Sequence, residues 1–354
     1  MRPLKAALIG SGLIAGLKHI PAFQKHRNKV QLTALCDLNV DAARKLAAQH
    51  GIPQVYGNVE EMLAKEKPDL VDICTPPKTH APIAIQAMQA GANVLIEKPM
   101  AQTLRECDAI IAASLDNNVK VCLAHSDLFY YPFLAARKLV REGSIGAFRG
   151  MRIFLSTPTD YITSKPDHWA NKLPGGVIGE TGPHIVYMTL AFINPIREVK
   201  VDAMKLRGEY PWSPFEDYRI NLIGDHAMSS VTLSYATKQW MARVEILGED
   251  STLLLDLEAL SLVEYRRDRL KPIAIGTSLL SETGQLLKSL ATNGLRYVTG
   301  SLRTTHDFII DEFTDSIIHG TKSPVPAEDG RESVRVLSMI VESLNGTAKA
   351  VGER

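Results

Sequence analysis

The sequence predicts an α/β protein: a doubly wound parallel sheet over residues 1–124, then an α+β domain over residues 125–354 built on an open, mainly antiparallel sheet. Three observations predict it. A chain of 354 residues exceeds what one hydrophobic core usually spans, so two domains are expected. Through the first third, short apolar runs alternate with helical patterns, as βαβ units require. Beyond it, strand-like segments follow one another with only turn residues between, as in an antiparallel sheet.

The elements follow in order. Residues 6–9, 32–35, 70–75, 93–96 and 119–124 form short apolar runs, the pattern of strands covered by helices on both faces. Helical spacing fills the intervals at 15–26, 40–50, 81–90 and 104–117. An aliphatic helix over 131–142, ended by Gly143, opens the second domain. Strands are then expected at 148–157, 198–206, 218–223, 229–235, 242–247, 252–257 and 262–266, several joined by turn residues such as Gly224-Asp225. Leu279, Leu280, Leu286, Leu287, Leu290 and Leu295 recur at roughly helical spacing, so residues 279–298 are expected to pack as an amphipathic helix against the sheet. Helices over 307–319 and 330–350 close the chain and could pack back on the first domain. An open sheet with an exposed apolar face would favour a homodimer or homotetramer.

Composition narrows the partners. Lys plus Arg total 40 against 39 for Asp plus Glu, a net charge of +1, which offers no footprint for nucleic acid or an anionic membrane. No apolar run approaches the roughly 20 residues of a membrane span. The apolar start of the chain is broken by glycines and reads as a buried strand, not a signal peptide. Cys36, Cys74, Cys107 and Cys122 are scattered, with no CxxC pair and no zinc-like His spacing, so no metal is expected and a reducing, cytoplasmic setting is.

Directly after the first strand, Gly10-Ser11-Gly12-Leu13-Ile14-Ala15 fits G-x-G-x-x-[G/A] and leads into a helix. The first glycine permits a tight turn, the second lets backbone N–H groups reach a pyrophosphate, and the small third position allows close helix–strand packing. The first domain is therefore expected to be a Rossmann domain that binds a dinucleotide. Asp37 ends the second strand, where a carboxylate can hold the adenosine ribose hydroxyls and repel a 2′-phosphate; NAD is expected rather than NADP. A plain turn or helix-cap Asp is the other reading. Thr75, Pro76 and His80 lie at and after the end of the third apolar run, at strand ends that should border the cofactor.

With Glu97-Lys98-Pro99 these features stand together in order, and the chain resembles the glucose–fructose oxidoreductase/inositol dehydrogenase/rhizopine-catabolism (Gfo/Idh/MocA) family. The resemblance covers nearly the whole chain, including the GSIGAF turn at Gly143–Phe148 and the GG-x₃-E-x₃-H segment at Gly175–His184. It implies that Lys98 reaches both the nicotinamide ribose and the substrate hydroxyl, with Glu97 shaping its loop. It also implies His184 as the acid/base, and an imidazole suits that task because it titrates near working pH. Glu180, one helical turn before His184, is expected to orient it or to bind substrate; the family pattern has Asp there, so Glu180 is a departure. Pro183 should be tolerable only in the first helical turn.

The expected chemistry is hydride transfer between NAD and a secondary hydroxyl or ketone of a sugar, cyclitol or related polyol. Asp127, Trp169 and Lys172 are further candidates for substrate contact, and His306 a more distant one. Two alternatives stay open: an NADP-dependent reductase of a non-sugar carbonyl, and a dinucleotide-binding sensor without turnover.

Overall fold

The computed structural model describes residues 2–158, 165–208 and 212–352. It divides into two compact units, one running to Ser126 and including Arg303–Arg335, the other taking Asp127–Leu302 and the chain from Val336.

The first unit is a six-stranded parallel sheet of β1 (Leu4–Ile9), β2 (Val30–Cys36), β3 (Gln54–Tyr56), β4 (Leu70–Ile73), β5 (Asn93–Ile96) and β6 (Val121–Leu123), in the order β3-β2-β1-β4-β5-β6. Helices α1 (Ile20–Lys25), α2 (Val40–His50), α3 (Val59–Glu66), α4 (His80–Gln89) and α5 (Leu104–Asp116) connect them. β1, β4 and β5 are buried almost throughout, as strands covered on both faces must be. Asp72 is the exception, a carboxylate with no exposure on a central strand. The strand order reverses at β1, so the carboxyl ends of β1, β2, β4 and β5 converge where such sheets bind ligands.

β3 and α3 were not expected from the sequence. β3 is a three-residue, half-exposed edge strand, too short to show a period. α3 starts at Asn58, whose side chain accepts from the Glu61 N–H.

The second unit opens with α6 (Tyr131–Arg141), then β7 (Phe148–Ser156), α7 (Ile178–Leu190) and β8 (Ile196–Met204). It continues with β9 (Asp217–Gly224), β10 (Met228–Ser234), β11 (Met241–Gly248), β12 (Thr252–Asp256), β13 (Ser261–Tyr265) and α8 (Pro272–Val298). The seven strands order as β13-β12-β11-β7-β10-β9-β8, antiparallel except where β10 runs parallel to β7. One face buries Ile153, Val231, Val244 and Leu255. The other aligns Arg152 with Glu245 and Arg243 with Asp256, two ion pairs on a mostly polar surface. Phe154 and Met228 are exposed on the same face.

A longer exposed apolar stripe belongs to α8, which corrects the expected packing. The helix starts at Pro272, and its polar side meets β13. Gln285 reads both backbone groups of Glu264, its Oε1 accepting from the N–H at 2.8 Å and its Nε2 donating to the carbonyl at 3.0 Å. Asn293 donates to the Leu260 carbonyl at 3.0 Å. Amides thus cover an edge strand's unpaired groups, which leucine cannot do. Leu279, Leu280, Leu286, Leu287, Leu290 and Leu295 stay at least half exposed.

The chain returns to the first unit with α9 (Thr305–His319) and the start of α10 (Ala327–Gly352). Thr304 and Asp307 form a reciprocal cap at the start of α9, while Lys25 and Lys29 pair with Asp307 and Asp311. No helix among the described residues is long and apolar enough to cross a membrane.

Candidate active site

In the first unit β1 hands over to Gly10, whose φ of +105° favours glycine; a Cβ there would stand 2.6 Å from the Cys74 carbonyl oxygen. A Cβ on Gly12 would meet nothing within 4 Å. The turn is closed by backbone at its first glycine and open at its second. Ala15 is fully buried, while Leu13 and Ile14 are exposed. Backbone at close approach, N–H groups at a helix start and open space above Gly12 fit a dinucleotide's diphosphate.

Asp37 faces this turn. One carboxylate oxygen accepts from the Ser11 N–H at 2.6 Å and the Ser11 hydroxyl at 2.8 Å, and the other accepts from the Asn39 N–H at 2.8 Å. These contacts make Asp37 a turn residue and place its carboxylate beside the glycine loop.

The loop after β4 exposes Pro76 and half-exposes Thr75. His80 is fully buried, and its ring nitrogens meet the carbonyls of Pro99 at 2.9 Å and Thr75 at 2.7 Å. It braces the loop against the segment after β5 and has no exposed surface to offer a ligand. That segment places Lys98 half-buried at the strand end, its N–H donating to a Glu97 carboxylate oxygen at 3.0 Å. The other Glu97 oxygen lies 2.9 Å from His19 Nε2, and His19 Nδ1 lies 2.7 Å from Asp72. His306 is buried beside this group, 3.6 Å from Glu97, and so lines the interior of the unit.

In the second unit, Gly175 and Gly176 both adopt positive φ and turn the chain into α7. The helix carries Glu180 and His184 one turn apart. Pro183 lies in its second turn, not its first, and the missing N–H leaves the Gly179 carbonyl without its usual intrahelical partner. His184 Nδ1 lies 2.8 Å from an Asp127 carboxylate oxygen and 2.6 Å from the Tyr187 hydroxyl. Tyr187 also accepts from the Asp127 N–H at 3.2 Å. The carboxylate that orients His184 is therefore Asp127, and the orienting role expected of Glu180 is corrected. Asp127 lies on a short helical turn, and Glu180 accepts a bond from Thr181 at 3.4 Å.

With Nδ1–H directed to carboxylate and phenol oxygen, the network assigns the tautomer that leaves a lone pair on Nε2. No described residue hydrogen-bonds that nitrogen. His184 and Asp127 are each about one-fifth exposed, so the pair is reachable yet shielded. Trp169 and Lys172 lie exposed on a single turn of 3₁₀ helix before the paired glycines. Sequence reasoning missed Tyr187, His19 and Asp72 as parts of these arrangements; only Asp72, a charge within an apolar strand, carried a signal.

Comparison with known proteins follows the same division. A family model described as an oxidoreductase family with an NAD-binding Rossmann fold matches residues 4–125, and one described as the GFO/IDH/MocA C-terminal domain matches residues 133–254. The chain is 28% identical over 204 residues to oxidoreductase P35 of Formosa agariphila, a match covering 56% of this chain and 63% of that protein, slightly under two thirds. It is 26% identical over 252 residues to a scyllo-inositol 2-dehydrogenase (NADP(+)) of Bacillus subtilis, covering 69% and 75%. The solved structure of the WlbA dehydrogenase from Bordetella pertussis, in complex with NADH and UDP-GlcNAcA, shares the fold with a TM-score of 0.80. That likeness covers 98% of this chain and 96% of the other at 20% identity.

Proposed function

We propose, because this chain belongs to the Gfo/Idh/MocA family of NAD-binding oxidoreductases, that it oxidises a secondary hydroxyl of a sugar, cyclitol or related polyol and reduces the matching ketone. The observation that carries the reading is the Asp127–His184 pair. Oxidising an alcohol requires removal of the hydroxyl proton as hydride leaves carbon, and an imidazole with one nitrogen held by a carboxylate and the other open is built for that removal.

The glycine turn would hold NAD, which would supply the hydride acceptor. The protein's side chains do the rest. His184 Nε2 takes the hydroxyl proton, and Asp127 stabilises the imidazolium that forms. On the first unit, the Lys98 ammonium is the group suited to stabilise alkoxide character on a substrate oxygen. Glu180, Trp169 and Lys172 contact substrate hydroxyls. The Asp37 carboxylate disfavours a 2′-phosphate and so selects NAD over NADP. The names of the scyllo-inositol relative and of the UDP-GlcNAcA complex support the polyol class. Four buried cysteine thiols accord with a reducing, cytoplasmic setting.

An absorbance screen for NADH formation over sugars, sugar acids, inositols and aminosugars tests this reading. Turnover is expected with one of these classes and is expected to collapse in His184→Ala and Lys98→Met while NAD binding persists. Bound NAD that no member of the panel reduces would favour a sensor instead.

The exposed leucines of α8 extend the proposal to assembly, with a second copy of this chain as their partner. A stripe this apolar normally meets another apolar surface. Light scattering on Leu286→Glu/Leu290→Glu should show monomer where the parent shows dimer or tetramer; unchanged mass would place the contact elsewhere.

A further inference from the structure

Behind the Glu97-Lys98 corner lies a group of titratable side chains that the proposed reaction does not use. His19, at the end of the helical turn that follows the glycine loop, has no exposure, and neither has Asp72. His19 bridges two carboxylates, 2.7 Å from Asp72 and 2.9 Å from Glu97. The His306 ring meets the His19 ring edge-on, with 4.8 Å between centroids. His306 Nε2 is buried without a hydrogen bond, 3.6 Å from the same Glu97 oxygen that His19 holds.

Two buried carboxylates can stay ionised only beside a cation that donates to both. His19 meets that need when both its nitrogens carry protons. Burial alone would lower its pKa, yet Asp72 beside it raises it well above the ordinary value. Burial would likewise raise the Glu97 carboxyl, but the hydrogen bond with His19 holds it well below the usual range. His306 is kept low by burial, so a neutral His306 leaves one surplus negative charge in the cluster. Cys74 does not add to it, since burial pushes its thiol up to about 12.

A metal ion is the competing occupant, because His19, Glu97 and His306 offer three ligand atoms within 4.8 Å of one another. The distances argue against it. Ligands about 2.0 Å from a tetrahedral zinc stand about 3.3 Å apart, whereas His19 Nε2 and Glu97 are separated by 2.9 Å. That is a hydrogen bond.

We propose that His19, held as an imidazolium between Asp72 and Glu97, is a positioning residue for Lys98. It fixes the Glu97 carboxylate, which in turn holds the Lys98 N–H. It also ties the Lys98 corner to the helix that starts at the glycine turn, so seating the dinucleotide and placing the ammonium share one brace. The inference rests on Lys98 acting in the proposed reaction, but its protonation claim stands apart from that reaction.

Imidazole ¹H–¹⁵N NMR of the intact protein, assigned with His19→Gln, tests that claim without substrate. His19 is expected to keep both ring protons well above neutral pH and to lose one at lower pH in Asp72→Asn. A His19 ring neutral at pH 7, or one equivalent of zinc copurifying with the protein, would overturn it. On turnover, His19→Gln should lower kcat by about 10- to 100-fold with little change in substrate KM, the scale of an ångström's misplacement. The alkaline limb of the rate profile should move to lower pH in Asp72→Asn, as the imidazolium is lost earlier. Combined with Lys98→Met, His19→Gln should cost nothing further, because its effect passes through Lys98. Additive losses would overturn the positioning role, whereas a parent inactive on every polyol would sink only the proposed function.

Discussion

Replacing Asp127 with Asn tests the proposed mechanism at its most exposed point. The change keeps the size of the side chain and removes the charge that faces His184 Nδ1 at 2.8 Å. In the reaction His184 gains a proton, so the carboxylate acts mainly on the protonated ring that forms. At that separation a unit charge pair is worth about 1.5 kcal/mol with water's permittivity and about 6 kcal/mol at an effective permittivity of 20. Both partners are about one-fifth exposed, which places the pair between these limits, near 3 kcal/mol. A loss of about 3 kcal/mol from the transition state slows turnover roughly 10²-fold. Initial rates of NADH formation at saturating substrate measure this, with calorimetric NAD binding expected to stay at the parent value. Glu180→Gln is the internal comparison and should act more on KM than on kcat. If Asp127→Asn kept more than half the parent rate, or Glu180→Gln proved the slower enzyme at saturation, the dyad would be misassigned.

Three further outcomes follow from the first unit. Asp37→Ser should narrow the preference between the two dinucleotides by weakening NAD and strengthening NADP, read by calorimetry with each; an unchanged ratio would show that Asp37 serves the turn alone. Gly10→Ala should abolish NAD binding and lower the melting temperature by about 4–8 °C, from a strained φ and a backbone clash together worth about 2 kcal/mol. A folded Gly10→Ala protein with parental NAD affinity would contradict the close approach to Cys74. Finally, a His19 whose folded pKa is raised contributes stability that is complete below its unfolded value of about 6.5 and is lost as pH rises through the folded value. The melting temperature should therefore fall on the alkaline side, and less steeply in His19→Gln; parallel curves would show that His19 has no part in the loss.

The parallel sheet was legible because burial on both faces leaves a composition signal in β1, β4 and β5 that needs no partner to read. The glycine turn was legible for a related reason, since its geometry is fixed by residues adjacent in the chain. The fate of α8 was not. Amphipathic spacing shows that a helix has two faces but not which face meets the core, and here Gln285 and Asn293 win the contact because an edge strand offers hydrogen bonds. The Asp127–His184 pair joins positions 57 residues apart, and His19 joins Asp72 and Glu97 across 53 and 78. No local period encodes such pairings. They arise when the sheet order brings strand ends together, or when a helix turns its face toward a loop.

The structure also changes what Glu180 means. On the sequence alone, a Glu one turn before His184 lengthens by one methylene the arm expected to hold the imidazole, which would disturb proton transfer. With Asp127 and Tyr187 occupying Nδ1, that disturbance has no route to the ring, because the bonds that fix its tautomer come from elsewhere. Glu180 instead accepts from the Thr181 hydroxyl and lies close enough to the His168 imidazole to favour its charged form. If His184 is the general base proposed above, a longer acidic arm beside it would reach a different hydroxyl of the proposed polyol than a shorter one. Under the proposed function, the departure from the family pattern would change which substrate is recognised, on a residue outside the bonds that hold His184 Nδ1.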